Sequence, residues 1–220
     1  MRRFVPVLAA AIFTACEGPV IPPESIGDIY DFRLVTTPPE VLRWPSGTRV
    51  RVYAEDAAGA RAGQLSGSLA TGVVVWNRHA LYGEYELVPV ASVNDADVLL
   101  RWSDEPSPVD MSECPPVVSI AVTTFCRADA DRTRLKVFPL LAGGGGGVRF
   151  VITILGTQSG SGETVERLVI HELGHALGIG RHSPHPQDLM AEGVPTRATL
   201  SQRDISTVQV LYHTRPHITP

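Results

Sequence analysis

The sequence predicts an α+β fold, and three observations lead to this prediction. Short segments of alternating or continuous apolar residues, typical of strands, recur through the first two thirds of the chain. One segment with apolar residues at helical spacing lies among them, and two more follow near the C-terminus. The 220 residues are 44% hydrophobic, an ordinary share for a chain that buries a core. The length corresponds to one domain or two small ones.

The strand candidates are short. Thr48–Ala54 alternates polar and apolar residues, as expected of a half-buried strand. Further strands are predicted at residues 85–93, 96–102, 117–125, 135–141 and 148–155. A helix is predicted from the spacing of Leu65, Leu69, Val73 and Trp76, although three glycines weaken it. The glycine run at 143–147 opens a strand and lacks the Lys-Ser/Thr of a phosphate-binding loop, so we expect a flexible loop there.

Charge and hydropathy exclude several classes of protein. The formal net charge is −4, and the arginines and the single lysine, Lys136, are dispersed along the chain. A nucleic-acid binder that neutralises phosphates is therefore not expected. No apolar run reaches the ~18 residues of a membrane-spanning helix. No Gly-x-Ser-x-Gly motif supports a serine hydrolase.

The first residues have the pattern of a secretory signal peptide. Met1–Arg3 is positively charged, and Phe4–Phe13 is a short apolar stretch. Ala15 before Cys16 resembles a bacterial lipobox, in which the cysteine is lipidated and becomes the mature N-terminus. Ordinary cleavage nearby would instead leave a secreted protein without the lipid. Either way we expect export, and membrane contact only through a lipid on Cys16.

Residues beyond the signal peptide at 1–15 divide into three predicted regions. Residues 16–43 are proline-rich and are predicted to be a tether that is in part ordered against the domain, residues 44–214 a folded domain, and residues 215–220 a tail. With Cys16 lipidated, Cys114 and Cys126 remain as an even pair, which in an oxidising compartment predicts a disulfide. Such a small loop would contribute about 3 kcal/mol of stability. Two buried free thiols are the alternative.

The candidate chemistry lies on a helix predicted at residues 164–178. His171 and His175 are one helical turn apart and so share a face, where their imidazoles can bind one zinc ion. Glu172 lies beside them and can reach a water on that metal. The helix is apolar nearly all round, which implies burial. Each unpaired buried polar group costs roughly 1–3 kcal/mol of stability. A metal bound by these side chains would remove that cost for all of them at once.

The residues that follow make the sequence similar to a known family. A glycine, a further histidine with a serine after it, and a methionine eight residues beyond that histidine follow the helix: Gly178, His182, Ser183 and Met190. This pattern resembles the metzincin zinc proteases, and most closely their matrixin branch. Residues 200–212 resemble the C-terminal matrixin helix, and Ser201 with Asp204 would begin it.

The resemblance implies a mixed, mostly parallel twisted sheet with two long helices, a third-ligand loop, a methionine turn at Met190 and a C-terminal helix. It implies Zn²⁺ held by His171, His175 and His182. One departure is that Arg181 stands where the family has its third histidine, and His182 comes one residue later. An extra residue can be absorbed in a loop that has left the helix.

His185 and Asp188 are the alternative third ligands. The sequence has neither the family's cysteine-switch propeptide nor its loop for a second zinc, so no structural zinc or calcium site is carried over. His79, His213 and His217 have no metal-binding spacing and are expected to be surface or core residues.

Together these features predict a zinc-dependent endopeptidase acting on protein or peptide substrates. Glu172 would be the general base for a zinc-bound water. An extended substrate would add to an exposed edge strand, for which residues 148–155 are the candidate. Three alternatives remain: a non-catalytic, lipid-anchored binding module on a metzincin scaffold, a structural periplasmic protein with a buried histidine pair, and a zinc hydrolase with another substrate.

Overall fold

A computed structural model describes residues 28–114, 119–143, 146–156 and 161–220. The strands are β1 (Thr48–Ala54), β2 (Tyr85–Pro89), β3 (Val98–Trp102), β4 (Ala121–Thr124), β5 (Phe138–Pro139), β6 (Gly147–Val148) and β7 (Phe150–Ile154). The helices are α1 (Gln64–Asn77), α2 (Gly162–Ala176) and α3 (Gln202–His213). The predicted signal peptide at 1–15 and Cys16 lie outside the described residues. No helix of the described part of the chain is both long and apolar enough to cross a membrane.

The main sheet has five strands in the order β2-β1-β3-β7-β4. Its first four strands are parallel, and only β4 runs antiparallel to its neighbour. The predicted α+β class with a mixed, mostly parallel sheet is thereby confirmed. The predicted edge strand at 148–155 is wrong, because β7 lies between β3 and β4. The edge strand next to α2 is β4. Which strand lies at the edge depends on the order of strands in the sheet, and the apolar pattern of a single strand does not reveal that order.

Most predicted strands are shorter in the structure, and two of them differ most from the prediction. The segment at 135–141 forms only the two residues of β5, which pair with β6 in a separate small sheet. Pro139 lies in it and has no N–H to donate to a ladder. The segment at 148–155 is divided between two strands. Val148 belongs to β6, and the strand of the main sheet, β7, begins at Phe150. The shorter extents leave the predicted order of elements unchanged.

Helices α1 and α2 cover one face of the sheet, where most of the core lies. Trp76 is fully buried and donates from Nε1 to the carbonyl oxygen of Ile170 at 2.8 Å, which joins the two helices. The opposite face is covered by β5, β6 and residues 109–114 of the β3–β4 connection. A second, smaller cluster there includes Leu99, Phe138 and Val151. The sheet is thus buried on both sides, as parallel strands usually are.

The N-terminal segment of the described chain packs into the core and is not a tether as far as residue 43. Its buried apolar residues are Tyr30, Phe32, Leu34, Val41 and Leu42. Gly178 follows α2 with φ +115°, and a Cβ there would collide with the carbonyl oxygen of Leu42. The predicted boundary near Trp44 therefore lies too late, since the many prolines of this segment obscured its apolar residues.

The predicted tail at 215–220 also contacts the folded domain. Ile218 is fully buried, and its backbone N–H donates to the carbonyl oxygen of Val41 at 3.1 Å. The two ends of the described chain therefore pack against each other. Nearby, Trp44 Nε1 donates to the carbonyl oxygen of Ala176, and the Tyr212 hydroxyl donates to that of Leu177, at 2.8 and 3.0 Å. These bonds satisfy carbonyls that the end of α2 would otherwise leave unpaired.

Candidate metal centre

Helix α2 carries three of the predicted site residues into the interior. His171 and Glu172 are only 3% and 4% exposed. His175 is one turn further along the same face and is partly buried. The apolar residues around them pack on α1 and the sheet, so the helix is fixed on nearly all sides. These side chains are therefore held in place by the core.

Three histidine Nε2 atoms converge at this point. The Nε2 of His175 lies 3.1 Å from that of His171 and 3.3 Å from that of His182. One ligand atom from each of the three lies within 4.8 Å of the others. Nitrogen ligands at the usual zinc distance in a tetrahedral arrangement would be roughly 3.3 Å apart. The spacing of the three rings thus fits a single zinc ion.

The hydrogen bonds of the two helical histidines also fit a cation. His171 Nδ1–H donates to the carbonyl oxygen of Leu189 at 2.8 Å, and His175 Nδ1–H donates to that of Ile179 at 2.6 Å. Each neutral ring then presents a lone pair at Nε2. Burial lowers the pKa of His171 to about 3 and lowers that of His175 as well, so both rings stay neutral. A cation between the two Nε2 atoms could accept both lone pairs.

The third-ligand loop brings His182 to the site and turns Arg181 away. Arg181 Nε donates to the backbone oxygen of Arg33 at 3.2 Å and lies 3.4 Å from a carboxylate oxygen of Asp31. This loop has one residue more than the family pattern. The side chain of Arg181 contacts the N-terminal segment, which leaves the next residue, His182, to reach the site. His182 is exposed, whereas His171 is buried, so the histidine cluster is accessible from one side.

The alternative ligands lie elsewhere. Asp188 is 1% exposed, accepts a hydrogen bond from the Ser183 hydroxyl at 2.5 Å and pairs with Arg203 at 2.8 Å. Although burial acts to raise it, these donors hold the pKa of Asp188 below its usual range. His185 is exposed and donates from its backbone N–H to Ser183. Neither belongs to the histidine cluster found among the described residues.

The predicted methionine turn packs directly under α2. Met190 is fully buried, and its backbone oxygen accepts from the Ser183 N–H at 2.7 Å. A Cβ placed on Gly174 would lie 2.5 Å from the sulfur of Met190 and 2.7 Å from the ring of Trp76. The glycine between the two helical histidines therefore allows this close approach.

A buried carboxylate from α3 holds the same turn. Asp204 is fully buried and accepts from the backbone N–H of Leu189 at 2.9 Å and from the Tyr30 hydroxyl at 3.0 Å. It also forms a reciprocal capping box with Ser201 at the start of α3. Leu189 in turn accepts from His171, so Asp204 supports one of the candidate ligands through a single backbone unit.

Glu172 is held by a residue of the edge strand. The Thr123 hydroxyl lies 2.6 Å from Glu172 Oε2 and 3.0 Å from the backbone oxygen of Glu172. Burial raises the pKa of Glu172 to about 7, and the hydrogen bond from Thr123 works in the opposite direction. A carboxyl group that titrates near neutral pH is suited to general acid–base chemistry.

A cleft of about 280 Å³ opens beside these residues. Glu172 and His182 are among its polar lining residues, and Leu34, Phe125 and Ile179 among its apolar ones. Leu34 comes from the N-terminal segment, and Phe125 follows the edge strand. The cleft thus combines the proposed reactive groups with apolar surface.

The predicted cysteine pair is also located in the structure. Cys114 and Cys126 form a disulfide, with their Cα atoms 6.2 Å apart. Cys126 lies two residues beyond the end of β4, so the bond restrains the chain that leaves the edge strand.

Sequence reasoning missed several residues of the site. Thr123 and Phe125 lay in a predicted strand, but the pattern gave no indication that this strand borders α2. Tyr30 and Leu34 lay in the segment predicted to be a tether. The aromatic and apolar residues of this segment are unusual for a tether, and they were the signal in the sequence that it packs against the domain.

The comparisons with known proteins agree with this geometry. Residues 125–213 match the peptidase M10 family profile, described as Matrixin. This stretch runs from the end of the edge strand through α2, the third-ligand loop and the methionine turn to the end of α3. A search of curated proteins found no match. Matrixins are zinc-binding metalloproteases with protein or peptide substrates. Over residues 125–213 the chain is therefore similar to the matrixins, and the sheet topology and the histidine triad agree with this similarity.

Proposed function

We propose that this protein is an active zinc-dependent endopeptidase that hydrolyses peptide bonds in extended substrates. The observation that carries the proposal is the convergence of three Nε2 atoms beside a buried glutamate. His171, His175 and His182 would hold the metal, and Glu172 would act as general base. Zinc in such a site supplies Lewis-acid activation of water and of the scissile carbonyl.

The roles of the protein's own residues follow from their positions. Glu172 accepts a proton from the attacking water and delivers it to the departing amine nitrogen. Its pKa of about 7, raised by burial, suits both transfers near neutral pH. The carbonyls of Leu189 and Ile179 keep the protons of His171 and His175 on Nδ1, which leaves Nε2 free for the metal.

The substrate would bind as an added strand on β4. This strand pairs with β7 on one side, and no other strand among the described residues pairs with its second side. Its residue Thr123 touches Glu172, so a peptide on this edge would run past the general base. Main-chain hydrogen bonds would give affinity, and the apolar part of the cleft would receive a substrate side chain.

The test compares cleavage of unfolded casein by the wild-type protein and by Glu172→Gln. The variant should lose at least the ~10²–10⁴-fold typical of a missing general base. Glu166→Gln is a matched control, because Glu166 lies on the same helix and its carboxylate accepts from Thr71, away from the histidines. Equal activity in the wild type and Glu172→Gln would refute the mechanism.

Zinc content separates this function from its alternatives. A folded protein with about one zinc per chain and no cleavage of any tested protein would indicate latency or a very narrow specificity. A protein that takes up no zinc and cleaves nothing would favour the non-catalytic binding module. A stability that also does not respond to chelators would favour a structural role for the histidines.

Export and lipidation are part of the proposal. The disulfide between Cys114 and Cys126 supports an oxidising compartment outside the cytoplasm. Incorporation of labelled fatty acid into the wild type, and its loss in Cys16→Ser, would establish the anchor. Release of unlabelled wild-type protein into the medium would instead indicate ordinary secretion.

A further inference from the structure

We propose that Thr123 is a positioning residue for Glu172, which ties the general base to the strand on which the substrate lies. This inference rests on the proposed function, since it concerns the same reaction. Its evidence is the contact between the Thr123 hydroxyl and the Glu172 carboxylate and the place of Thr123 in the edge strand.

The hydroxyl has one proton and two acceptors within reach. It lies 2.6 Å from Glu172 Oε2 and 3.0 Å from the backbone oxygen of Glu172. A charged acceptor forms the shorter and stronger bond, so the proton goes to the carboxylate. No other described side chain donates to Glu172, which leaves Thr123 as the donor that sets its rotation.

Fixing one carboxylate oxygen directs the other. With Oε2 turned towards β4, Oε1 remains for proton transfer in the cleft that Glu172 and His182 line. Catalysis by a positioned base is sensitive to small changes of geometry. Thr123 therefore acts on the rate of the chemical step more than on substrate binding.

The backbone position of Thr123 adds a second constraint. Thr123 pairs with Ile152 of β7 on one side, and its other side faces the free edge. A peptide added to this edge is aligned by the same residue that holds the base. The register of the scissile bond and the orientation of Glu172 are then set together.

Other threonines of the sheet show that a hydrogen bond from the side-chain hydroxyl is not required for the strands to form. Thr124 and Thr153 are buried, and neither hydroxyl has a hydrogen-bond partner among the described residues. The bond of Thr123 is therefore a particular feature of its place next to Glu172. Thr153 lies within β7 and supplies a matched control.

The first experiment measures peptide cleavage by zinc-loaded wild type, Thr123→Val, Thr123→Ser and Thr153→Val. Thr123→Val should lower kcat by about 10- to 100-fold, the value of a hydrogen bond to a charged group, with little change in KM. Thr123→Ser should restore kcat to within a few-fold, and Thr153→Val should match the wild type. A normal kcat in Thr123→Val, or an equal loss in Thr153→Val, would overturn the proposal.

The second experiment does not depend on activity. A double-mutant cycle with Thr123→Val and Glu172→Ala is measured by urea unfolding at one fixed zinc concentration. We expect a coupling of about tenfold or more in the unfolding equilibrium constant. Additive effects would refute the hydrogen bond. If the wild type binds zinc and cleaves nothing, the proposed function fails alone, and the cycle still decides whether Thr123 orients Glu172.

Discussion

Replacing Asp204 with asparagine should weaken both the fold and the candidate zinc site. The carboxylate is fully buried, and each oxygen accepts hydrogen bonds. Oδ2 accepts from the backbone N–H groups of Leu189 and Ser201, both at 2.9 Å, and Oδ1 from the Tyr30 hydroxyl at 3.0 Å. Asparagine keeps the shape but replaces one acceptor with an NH₂ donor.

The magnitude follows from these contacts. The amide takes the less costly orientation, with its oxygen at Oδ2 and its nitrogen at Oδ1, because the Tyr30 hydroxyl can rotate and accept whereas a backbone N–H cannot. The Met190 N–H, which donates to Oδ1 at 3.4 Å, then loses its acceptor, and the bonds from Leu189 and Ser201 lose the negative charge that strengthens them. We therefore expect a loss of about 1–3 kcal/mol, a sizeable part of the ~5–15 kcal/mol that stabilises a domain. Because Leu189 orients His171, zinc affinity should fall about 10- to 100-fold.

Urea unfolding and competition with a zinc chelator measure the two effects. Asp56→Asn is the matched control, since Asp56 accepts from the N–H groups of Leu65 and Ser66 at the start of α1 through one oxygen. An amide oxygen can replace it there, so the control should lie within ~0.5 kcal/mol of the wild type. An Asp204→Asn protein with wild-type stability and zinc affinity would show that this carboxylate does not hold the methionine turn.

Two further predictions concern the packing around the site. Gly174→Ala should lower the melting temperature, because the clash with Met190 costs about 1–3 kcal/mol and outweighs the ~1 kcal/mol that alanine gains in a helix. Gly67→Ala in α1, where nothing lies within 4 Å of the added Cβ, should raise it, and thermal unfolding that moved both variants the same way would contradict this reasoning. The ion pair of Asp188 with Arg203 should stabilise the fold above pH ~4 and be lost as the pH falls through the lowered folded-state pKa of Asp188. Asp188→Asn should therefore flatten the acid side of the stability–pH curve, and an unchanged slope would count against the pair.

The helices and the candidate ligands could be predicted because their signals are local. His171 and His175 are four residues apart, and helical geometry alone brings them to one face. The start of α3 was likewise readable from Ser201 and Asp204, which form the capping box within one turn. Such features depend on a few neighbouring residues, so the sequence contains them directly.

Strand order could not be predicted in the same way. The apolar run at 148–155 has a strong strand pattern, and its position inside the sheet explains that pattern. Both faces of β7 are buried, whereas three of the four residues of β4 are only partly buried. An edge strand is less apolar on its exposed parts than a central strand, so the continuous apolar run at 148–155 is better explained by a central position.

The surroundings of the histidines depend on contacts between distant parts of the chain. The carbonyl that orients His175 comes from Ile179, four residues away, and helix termination at Gly178 accounts for it. The carbonyl that orients His171 belongs to Leu189, whose backbone N–H donates to Asp204. Asp204 also accepts from the hydroxyl of Tyr30, which lies 174 residues earlier in the chain. The motif therefore identifies the candidate metal ligands, while the N-terminal segment contributes to their geometry. It follows that residues 28–43 belong to the same folded unit as the candidate metal centre, and that a domain boundary drawn at Trp44 would remove part of the support for His171.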